Sequence, residues 1–292
     1  MTSSARTLYF TSFTNCYIAR YNARRMKSYR NLVPDVPLVE ETVEMLRARG
    51  GSAPATEVAL VVLNVPNLDT ELAASLVADL ISGDHRLVIR DDATVEINDK
   101  ERSLRDADFV VVDIETTGAK MPPSRIMEIG AYRISGGAIV AEFQTLVNPE
   151  NSIPPFIARL TGISNEMVRG APRFAEIVDD WLDFSDGSVL VAHDAPFDVR
   201  FINYEIARVF PGRRMSNPHL CTVKLARSIF PDLPNHRLHT IAEHFQIPLA
   251  NRHRAAGDAL ATAEIFLRVL ERLDEHGVRD VFAAKRFKER RL

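Results

Sequence analysis

The feature that most restricts how this chain can fold is an apolar run that ends in two acidic residues. Residues 109–112 read Phe-Val-Val-Val, and Asp113, Ile114 and Glu115 follow them directly. A short apolar run of this kind is typical of a strand that is buried on both faces of a sheet. Residues two apart on an extended chain point to the same side, so the two carboxylates should lie next to each other.

Carboxylates that lie so close repel one another, and each raises the pKa of the other unless a cation lies between them. Asp113 and Glu115 are therefore candidate ligands of a cation at the end of a buried strand. The alternative is that one acid is buried with a local hydrogen bond and the other is exposed.

Composition favours two globular units and excludes several classes of protein. The chain has 292 residues, 46% of them hydrophobic, which is enough apolar material for a sizeable core. No apolar run approaches the roughly 18 to 20 residues that a membrane-spanning helix needs. The two cysteines, Cys16 and Cys221, form no CxxC pair, which argues against a disulfide framework or a thiolate zinc site and fits a reducing cytoplasm.

The charge distribution separates basic ends from an acidic body. Net charge is -3, and removing the six basic residues before Asp35 leaves the remainder at -9. We interpret residues 1–36 as an irregular basic arm, because they show no sustained periodicity and end in a turn-prone segment. An organelle transit peptide is the alternative, since the segment is rich in Arg, Ser and Thr. Residues 281–292 are predicted to be a basic tail.

Residues 37–99 are predicted to form a small α+β domain. Helical periodicity covers 38–49 and 55–64, and Asp69 is a candidate N-cap for a third helix. Two short strands, 87–89 and 94–97, flank a turn-like centre. Three helices followed by a hairpin resemble a winged helix, a module often used on DNA. The apolar face predicted for the third helix consists of Leu72, Leu76, Val77, Leu80 and Ile81.

The third helix nevertheless argues against a simple DNA-binding interpretation. Its predicted exposed positions are Glu71, Ser75 and Asp79, with no Lys or Arg among them. Such a helix would present negative charge to the phosphates of a groove. A packing module or a protein-contact module is therefore the alternative for this domain.

Residues 100–280 change to a pattern of strands interleaved with helices. Strands are predicted at 109–114, 126–134, 139–147 and 188–191. Helices are predicted at about 172–184, 196–209, 222–229, 237–245 and 256–274. This order implies an α/β architecture in which helices cover a mixed sheet.

Two further stretches place acidic side chains at the start of helices. Asp198 follows a buried strand and a turn, and lies in the first turn of a helix, where its charge is favoured. His253 precedes Asp258 by five residues at the opening of an apolar helix. Ordinary helix capping would also account for Asp198, and a histidine followed by an aspartate is weak evidence by itself.

Taken together, the three stretches resemble the motifs of the DEDDh (DnaQ-like) superfamily of 3′-to-5′ exonucleases, and within it the proofreading exonucleases of bacterial replicative polymerases. Asp113 and Glu115 match the first motif, Asp198 the second, and His253 with Asp258 the third. Supporting matches lie at 125–130, 148–149, 153–154 and 160–163. The resemblance implies an RNase H-like fold, with a mixed sheet flanked by helices and four carboxylates converging at its centre.

The resemblance also implies two-metal-ion chemistry. Two divalent ions roughly 3.5–4 Å apart can hold a scissile phosphate, and hard oxygen ligands select Mg²⁺ or Mn²⁺. By resemblance, Asp113 would contact both ions, Glu115 and Asp258 would complete the ion beside the attacking water, and Asp198 would act on the other. His253 is the candidate general base, because an unperturbed imidazole titrates near neutral pH.

Substrate contacts are expected beside these ligands. In the family, the backbone around Ile114, Thr116 and Thr117 cradles the terminal nucleotide, and His193 is a further candidate contact. The chain departs from the family pattern at Asp194, because relatives usually have asparagine after the histidine. The added carboxylate lies near the substrate strand and leaves the substrate preference open.

The resemblance therefore implies a metal-dependent exonuclease that releases nucleoside 5′-monophosphates from single-stranded or frayed DNA 3′ ends, in proofreading or repair. An RNA-trimming exonuclease is one alternative, because contacts to the 2′-hydroxyl cannot be read from the motifs. A non-catalytic nucleic-acid-binding platform is another. A DNA polymerase subunit or another protein is the candidate partner of the N-terminal domain, and the expected location is the cytoplasm.

Overall fold

The computed structural model describes residues 29–98, 103–249 and 252–288. The strands, in chain order, are β1 Leu32–Pro34, β2 Ser52–Pro54, β3 Leu87–Ile89, β4 Thr94–Ile97, β5 Phe109–Thr116, β6 Ile126–Ser135, β7 Ala138–Leu146, β8 Val189–Ala192, β9 Arg213–Met215 and β10 His219–Cys221. The helices are α1 Pro37–Ala48, α2 Ala55–Val61, α3 Thr70–Ile81, α4 Pro155–Thr161, α5 Asn165–Arg169, α6 Phe174–Ser185, α7 Ala195–Val209, α8 Thr222–Ile229, α9 Leu238–His244, α10 Ala255–Glu275 and α11 Val281–Arg286. Within the described ranges, no helix is both long and apolar enough to cross a membrane.

Five strands form a mixed central sheet in the order β10-β8-β5-β6-β7. β5, β6 and β7 are antiparallel neighbours, whereas β8 runs parallel to β5 and β10 runs parallel to β8. The predicted α/β architecture, a mixed sheet flanked by helices, is confirmed. The sequence did not predict β10, because three residues are too few to show a periodicity.

Alternation along β5 directs its side chains into two separate layers of helices. Val110, Val112 and Ile114 pack in a cluster with residues of α6 and α7. Phe109 and Val111 pack in the other cluster, with residues of α8, α9 and α10. Because side chains alternate along a strand, the two acids that follow lie on the α10 side of the sheet.

Residues 37–98 fold into a small α+β unit with its own core. The three helices α1, α2 and α3 surround a three-stranded sheet in the order β2-β4-β3. Val43, Val58, Val77 and Val95 are among the buried residues of this core. The three predicted helices and the β3–β4 hairpin are confirmed, and β2 is a strand that the sequence did not show. The winged-helix-like assignment stays a prediction.

The buried face of α3 differs from the predicted one. Ala73, Val77 and Ile81 are buried, whereas Leu72 and Leu76 are 48% and 37% exposed. The prediction was therefore wrong for these two leucines. Positions 72, 76 and 80 and positions 73, 77 and 81 repeat at the same helical spacing, so packing against the rest of the unit selects between them.

Both terminal segments contain regular structure that the sequence did not predict. Residues 32–34 form β1, which pairs with β9 in antiparallel register, so the prediction of an irregular arm is wrong there. The predicted basic tail begins with α11, whose residues Val281 and Ala284 are buried. These short segments depend on partners far away in the chain, which local periodicity cannot reveal. Residues 1–28 of the arm, residues 289–292 of the tail and the predicted boundary near residue 99 lie outside the described residues.

Polar contacts attach the N-terminal segment to the C-terminal unit. Glu40 of α1 forms ion pairs with Arg86 and with Arg214 of β9, the latter at 2.9 Å. The side-chain amide of Asn31 donates to the carbonyl oxygen of Leu182 at 2.9 Å and to Oγ of Ser185 at 3.1 Å. Ser185 lies shortly before β8, so this attachment is at the end of the sheet where β8 begins.

Gly130 of β6 allows α10 to approach the sheet closely. It pairs with Asp113 in the β5–β6 register, and a Cβ atom added at Gly130 would overlap the backbone of Ala255 and Ala256. Backbone atoms cannot move aside as a flexible side chain can. The first turn of α10, which carries Asp258, therefore lies directly over the end of β5.

The close approach predicts a large effect for Gly130→Ala. The added methyl group should push α10 away from the sheet and lower the free energy of unfolding by about 1–3 kcal/mol, measured by chemical denaturation. Gly170→Ala is a matched control, because nothing lies within 4 Å of the added Cβ and its φ is -95°. The control should change stability by less than about 1 kcal/mol; equal losses for both variants would contradict the packing argument.

Candidate active site

Asp113, Glu115 and Asp258 meet at the end of β5. Each contributes a carboxylate oxygen, and these oxygens lie within 4.8 Å of one another. The first two come from β5 and the third from the first turn of α10. The predicted neighbourhood of Asp113 and Glu115 is confirmed. Carboxylate oxygens at this spacing are the donor set that a hard divalent cation requires.

Burial and mutual repulsion raise the pKa values of these carboxyls. For Asp113, desolvation is the largest cause, and the charges of Asp198, Glu115 and Asp258 add to it. Desolvation and then the charge of Asp258 raise the pKa of Glu115 to about 7. Desolvation also raises the pKa of Asp258. A bound cation would offset this repulsion, so the residues fit a divalent metal.

Asp198 reaches the same end of β5 from the other layer of helices. It lies buried in the first turn of α7, a helix whose Phe201 and Ile202 pack on the face of the sheet opposite α10. Desolvation raises the pKa of the Asp198 carboxyl, whereas a hydrogen bond from the backbone of Ile114 opposes that shift. Its charge is also the first Coulombic cause that raises the pKa of Asp113. The fourth predicted carboxylate therefore interacts electrostatically with Asp113 and Glu115.

His253 and Asp258 are joined by a hydrogen bond within one turn. The backbone N–H of His253 donates to Oδ2 of Asp258 at 3.0 Å. The φ angle of His253 is 59°, in the left-handed region that is uncommon for residues other than glycine. The candidate base, which precedes α10, is thus tied directly to the candidate ligand in the first turn of that helix. The catalytic role of the imidazole stays a prediction.

The side chains of Thr116 and Thr117 stabilise the loop after β5. The hydroxyl of Thr116 donates to the carbonyl oxygen of Gly118 at 2.9 Å, and the hydroxyl of Thr117 accepts from the backbone N–H of Arg125 at 3.1 Å. Ile114, the third predicted contact on this segment, is buried. The predicted substrate role of all three residues stays a prediction.

His193 is half-buried between β8 and α8. Its Nδ1 atom lies 3.0 Å from Oγ1 of Thr222, and burial lowers the pKa of the imidazole to about 4. At neutral pH the ring is therefore uncharged, and it could contact a substrate only by hydrogen bonding or packing. The neighbouring Asp194 is exposed, and its charge raises the pKa of Asp198.

Two polar residues beside the carboxylates received no role from the sequence. Glu128 of β6 pairs with Glu115 in the sheet register and is only 1% exposed. Arg254 follows His253 and forms an ion pair with Glu128 at 2.6 Å. Both residues lie in or beside stretches that match the family motifs. The pairing itself has no sequence signal, because it arises only when α10 packs on β6.

The raised pKa of Glu115 predicts how stability depends on pH in the presence of a chelator. The pKa in the folded state is about 7 against 4.5 for the free group, so ionisation should lower stability as pH rises between these values. Glu115→Gln should therefore match the native chain at pH 5 and exceed it at pH 8, on the order of 3 kcal/mol. Chemical denaturation at the two pH values measures the difference. The exposed Glu142→Gln is the control, and the same gain for Glu115→Gln at both pH values would refute the electrostatic explanation.

Comparisons with known proteins relate this chain to exonucleases. Residues 110–266 match the model of the exonuclease (RNase_T) family. DNA polymerase III subunit epsilon of Aquifex aeolicus is 40% identical over 188 residues, which cover 64% of this chain and 93% of that protein. DNA polymerase III PolC-type of Caldanaerobacter subterraneus is 39% identical over 246 residues, which cover 84% of this chain but 17% of the polymerase. The crystal structure of E. coli exonuclease I in complex with a dT13 oligonucleotide shares the fold, with a TM-score of 0.52 and 17% identity over 59% of this chain and 42% of that one.

These matches extend over most of the chain. The family model alone spans more than half of it and includes the five predicted catalytic residues. The match to the PolC-type polymerase is too long to lie within that segment, and so includes much of residues 37–98 as well. The predicted relationship and the predicted nuclease class are confirmed. This chain belongs to the exonuclease (RNase_T) family.

Proposed function

We propose that this chain is a metal-dependent 3′-to-5′ exonuclease that removes nucleoside 5′-monophosphates from DNA 3′ ends in proofreading or repair. The observation that carries the proposal is the meeting of Asp113, Glu115 and Asp258 within 4.8 Å, with Asp198 close enough to raise the pKa of Asp113 by its charge. Relatives named for DNA polymerase III favour DNA as the substrate and the cytoplasm as the location.

The four carboxylates would hold two Mg²⁺ or Mn²⁺ ions. When bound, such ions supply Lewis acidity for an attacking water and charge stabilisation for the leaving 3′ oxygen. His253 would accept the proton of that water at a ring nitrogen, since it adjoins Asp258 on the same turn. The carboxylates meet only because α10 and α7 approach β5 from opposite faces.

The loop after β5 and the ring of His193 would bind the terminal nucleotide. Thr116 and Thr117 use their hydroxyl groups to hold this loop in a fixed conformation, against which the terminal nucleotide would bind. His193 is uncharged at neutral pH, so it would contribute a hydrogen bond without attracting phosphate by charge. Asp194 adds an exposed negative charge nearby, which should favour a flexible single strand that can avoid it over a rigid duplex.

The test of this function is degradation of matched, 5′-labelled single-stranded DNA and RNA in Mg²⁺. The native chain should shorten DNA from its 3′ end, and Asp113→Asn should lower the rate by on the order of 10²–10³-fold or more. Asp91→Asn, an exposed acid in the β3–β4 turn, is the matched control and should leave the rate unchanged. Faster shortening of RNA would assign the chain to RNA processing. Binding of either strand without any shortening would favour the non-catalytic platform.

We further propose that the N-terminal unit contacts a polymerase subunit and not duplex DNA. The exposed face of α3 carries Leu72 and Leu76 together with Glu71 and Asp79. Residues 50–84 contain no Lys, Arg or His, so this face has nothing to neutralise phosphate charge. Exposed leucines of this kind are typical of protein-binding surfaces.

The position of the N-terminal unit supports this proposal. Arg86 and Asn98 line the same cavity as Gly187 and Asn217, which precede β8 and β10. The catalytic candidate Asp198 instead follows the carboxyl end of β8. The unit and the carboxylates therefore lie toward opposite ends of the parallel strands, so a partner could occupy the unit without covering the 3′ end.

Substitution of Leu72 and Leu76 tests whether a polymerase subunit binds this face of α3. Leu72→Ser combined with Leu76→Ser should abolish co-elution with the DNA polymerase III of the source organism, since it removes the apolar contact surface. Degradation of a short oligonucleotide should stay unchanged. Val140→Ser, at another exposed apolar position on β7, is the control and should keep co-elution. Failure of the native chain to co-elute would exclude this polymerase as the partner.

A further inference from the structure

Glu128 is a fifth acidic residue beside the candidate metal site. It lies on β6 directly opposite Glu115 in the register, and it is almost completely buried. Its charge contributes to the raised pKa values of both Asp113 and Glu115. A buried carboxylate at this place would be expected either to bind the cation or to have a strong partner elsewhere.

The carboxylate of Glu128 is fully engaged by the start of α10. Nε of Arg254 lies 3.1 Å from both Oε1 and Oε2, and a terminal guanidinium nitrogen lies 2.6 Å from Oε1. The backbone N–H of Ala255 donates to Oε2 at 2.9 Å. This arrangement satisfies the carboxylate with charge-assisted hydrogen bonds, so Glu128 is not left to compete for the cation.

Arg254 stands within the turn that carries both His253 and Asp258. The carbonyl oxygen of Arg254 accepts from the backbone N–H of Asp258 at 3.1 Å. The carboxylate of Asp258 in turn accepts from the backbone N–H of His253, a residue whose φ angle lies in the left-handed region. Arg254, which is anchored on the sheet by Glu128, is thus linked through backbone hydrogen bonds to Asp258 and through Asp258 to His253.

We infer that Glu128 and Arg254 form a positioning clamp, in which the planar guanidinium group fixes the turn that places His253 and Asp258 over β5. This inference rests on the proposed function. A lysine could supply the same charge but not the two-pronged geometry, so shape and charge can be separated by substitution. Substitution of a residue that orients a metal ligand in this way typically lowers metal affinity or activity by about 10- to 100-fold.

The decisive variant is Arg254→Lys in the full chain. The expected result is a fall in kcat of at least about tenfold, with KM for single-stranded DNA within about twofold of the native value. Mn²⁺ affinity, measured by calorimetry without nucleic acid, should also fall by about tenfold. Glu128→Gln should behave similarly, because Arg254 loses its bidentate partner.

Arg86→Lys is the matched control for loss of a buried ion pair. Arg86 is 6% exposed and pairs with Asp84 and Glu40 in the N-terminal unit, away from the carboxylates. It should lower the melting temperature as much as Arg254→Lys does, while kcat and Mn²⁺ affinity stay native. Native kcat and native Mn²⁺ affinity in Arg254→Lys, with only its melting temperature lowered, would overturn the clamp and leave a purely structural ion pair.

The Mn²⁺ measurement separates failure of the clamp from failure of the proposed function. A native chain that binds Mn²⁺ but degrades no nucleic acid would refute the exonuclease proposal. Under that result, weaker Mn²⁺ binding by Arg254→Lys would still support the clamp, and unchanged binding would refute it.

Discussion

Repulsion among carboxylates that the fold brings together is the constraint on which the rest of the structure depends. Asp113 and Glu115 leave an apolar strand on the same side, and Asp258 meets them from a helix. Desolvation raises the pKa of all three carboxyls, and like charge raises those of Asp113 and Glu115 further, so the unliganded arrangement is unfavourable at neutral pH. Packing of the surrounding core must offset this repulsion and hold the carboxylates in place. A bound cation would reduce the repulsion.

Close packing of α10 on the sheet holds Asp258 beside Asp113 and Glu115 despite this repulsion. Gly130 allows the helix backbone to reach β6, and Glu128 with Arg254 adds polar contacts at the same point. α7 approaches from the opposite layer, so Asp198 arrives independently of α10. A site assembled from two separate layers can be lost by displacement of either helix, even when every carboxylate is retained.

The N-terminal unit has a different physical character from this site. Its third helix, α3, exposes apolar and acidic side chains, and residues 50–84, which include this helix, contain no basic residue. Glu40 of the unit and Asn31, just before it, make polar contacts with the C-terminal unit at the end of the sheet where β8 begins. These properties separate the surface available to a partner from the end of the sheet where the 3′ end of a nucleic acid would be held.

The sequence by itself determined the longer strands of the sheet and the long helices that cover it. It also determined the residue types of the site and the spacing of Asp113 and Glu115. These features follow from periodicities of 2 and 3.6 residues, which act within a single element. Only the tertiary structure decided that Asp198 and Asp258 approach from opposite layers, that Glu128 pairs with Arg254, and that α3 buries Ala73 instead of Leu72. It also decided the short strands β1, β9 and β10. Each of these depends on packing between segments far apart in the chain. The local sequence pattern of one segment does not indicate which of several compatible segments it packs against.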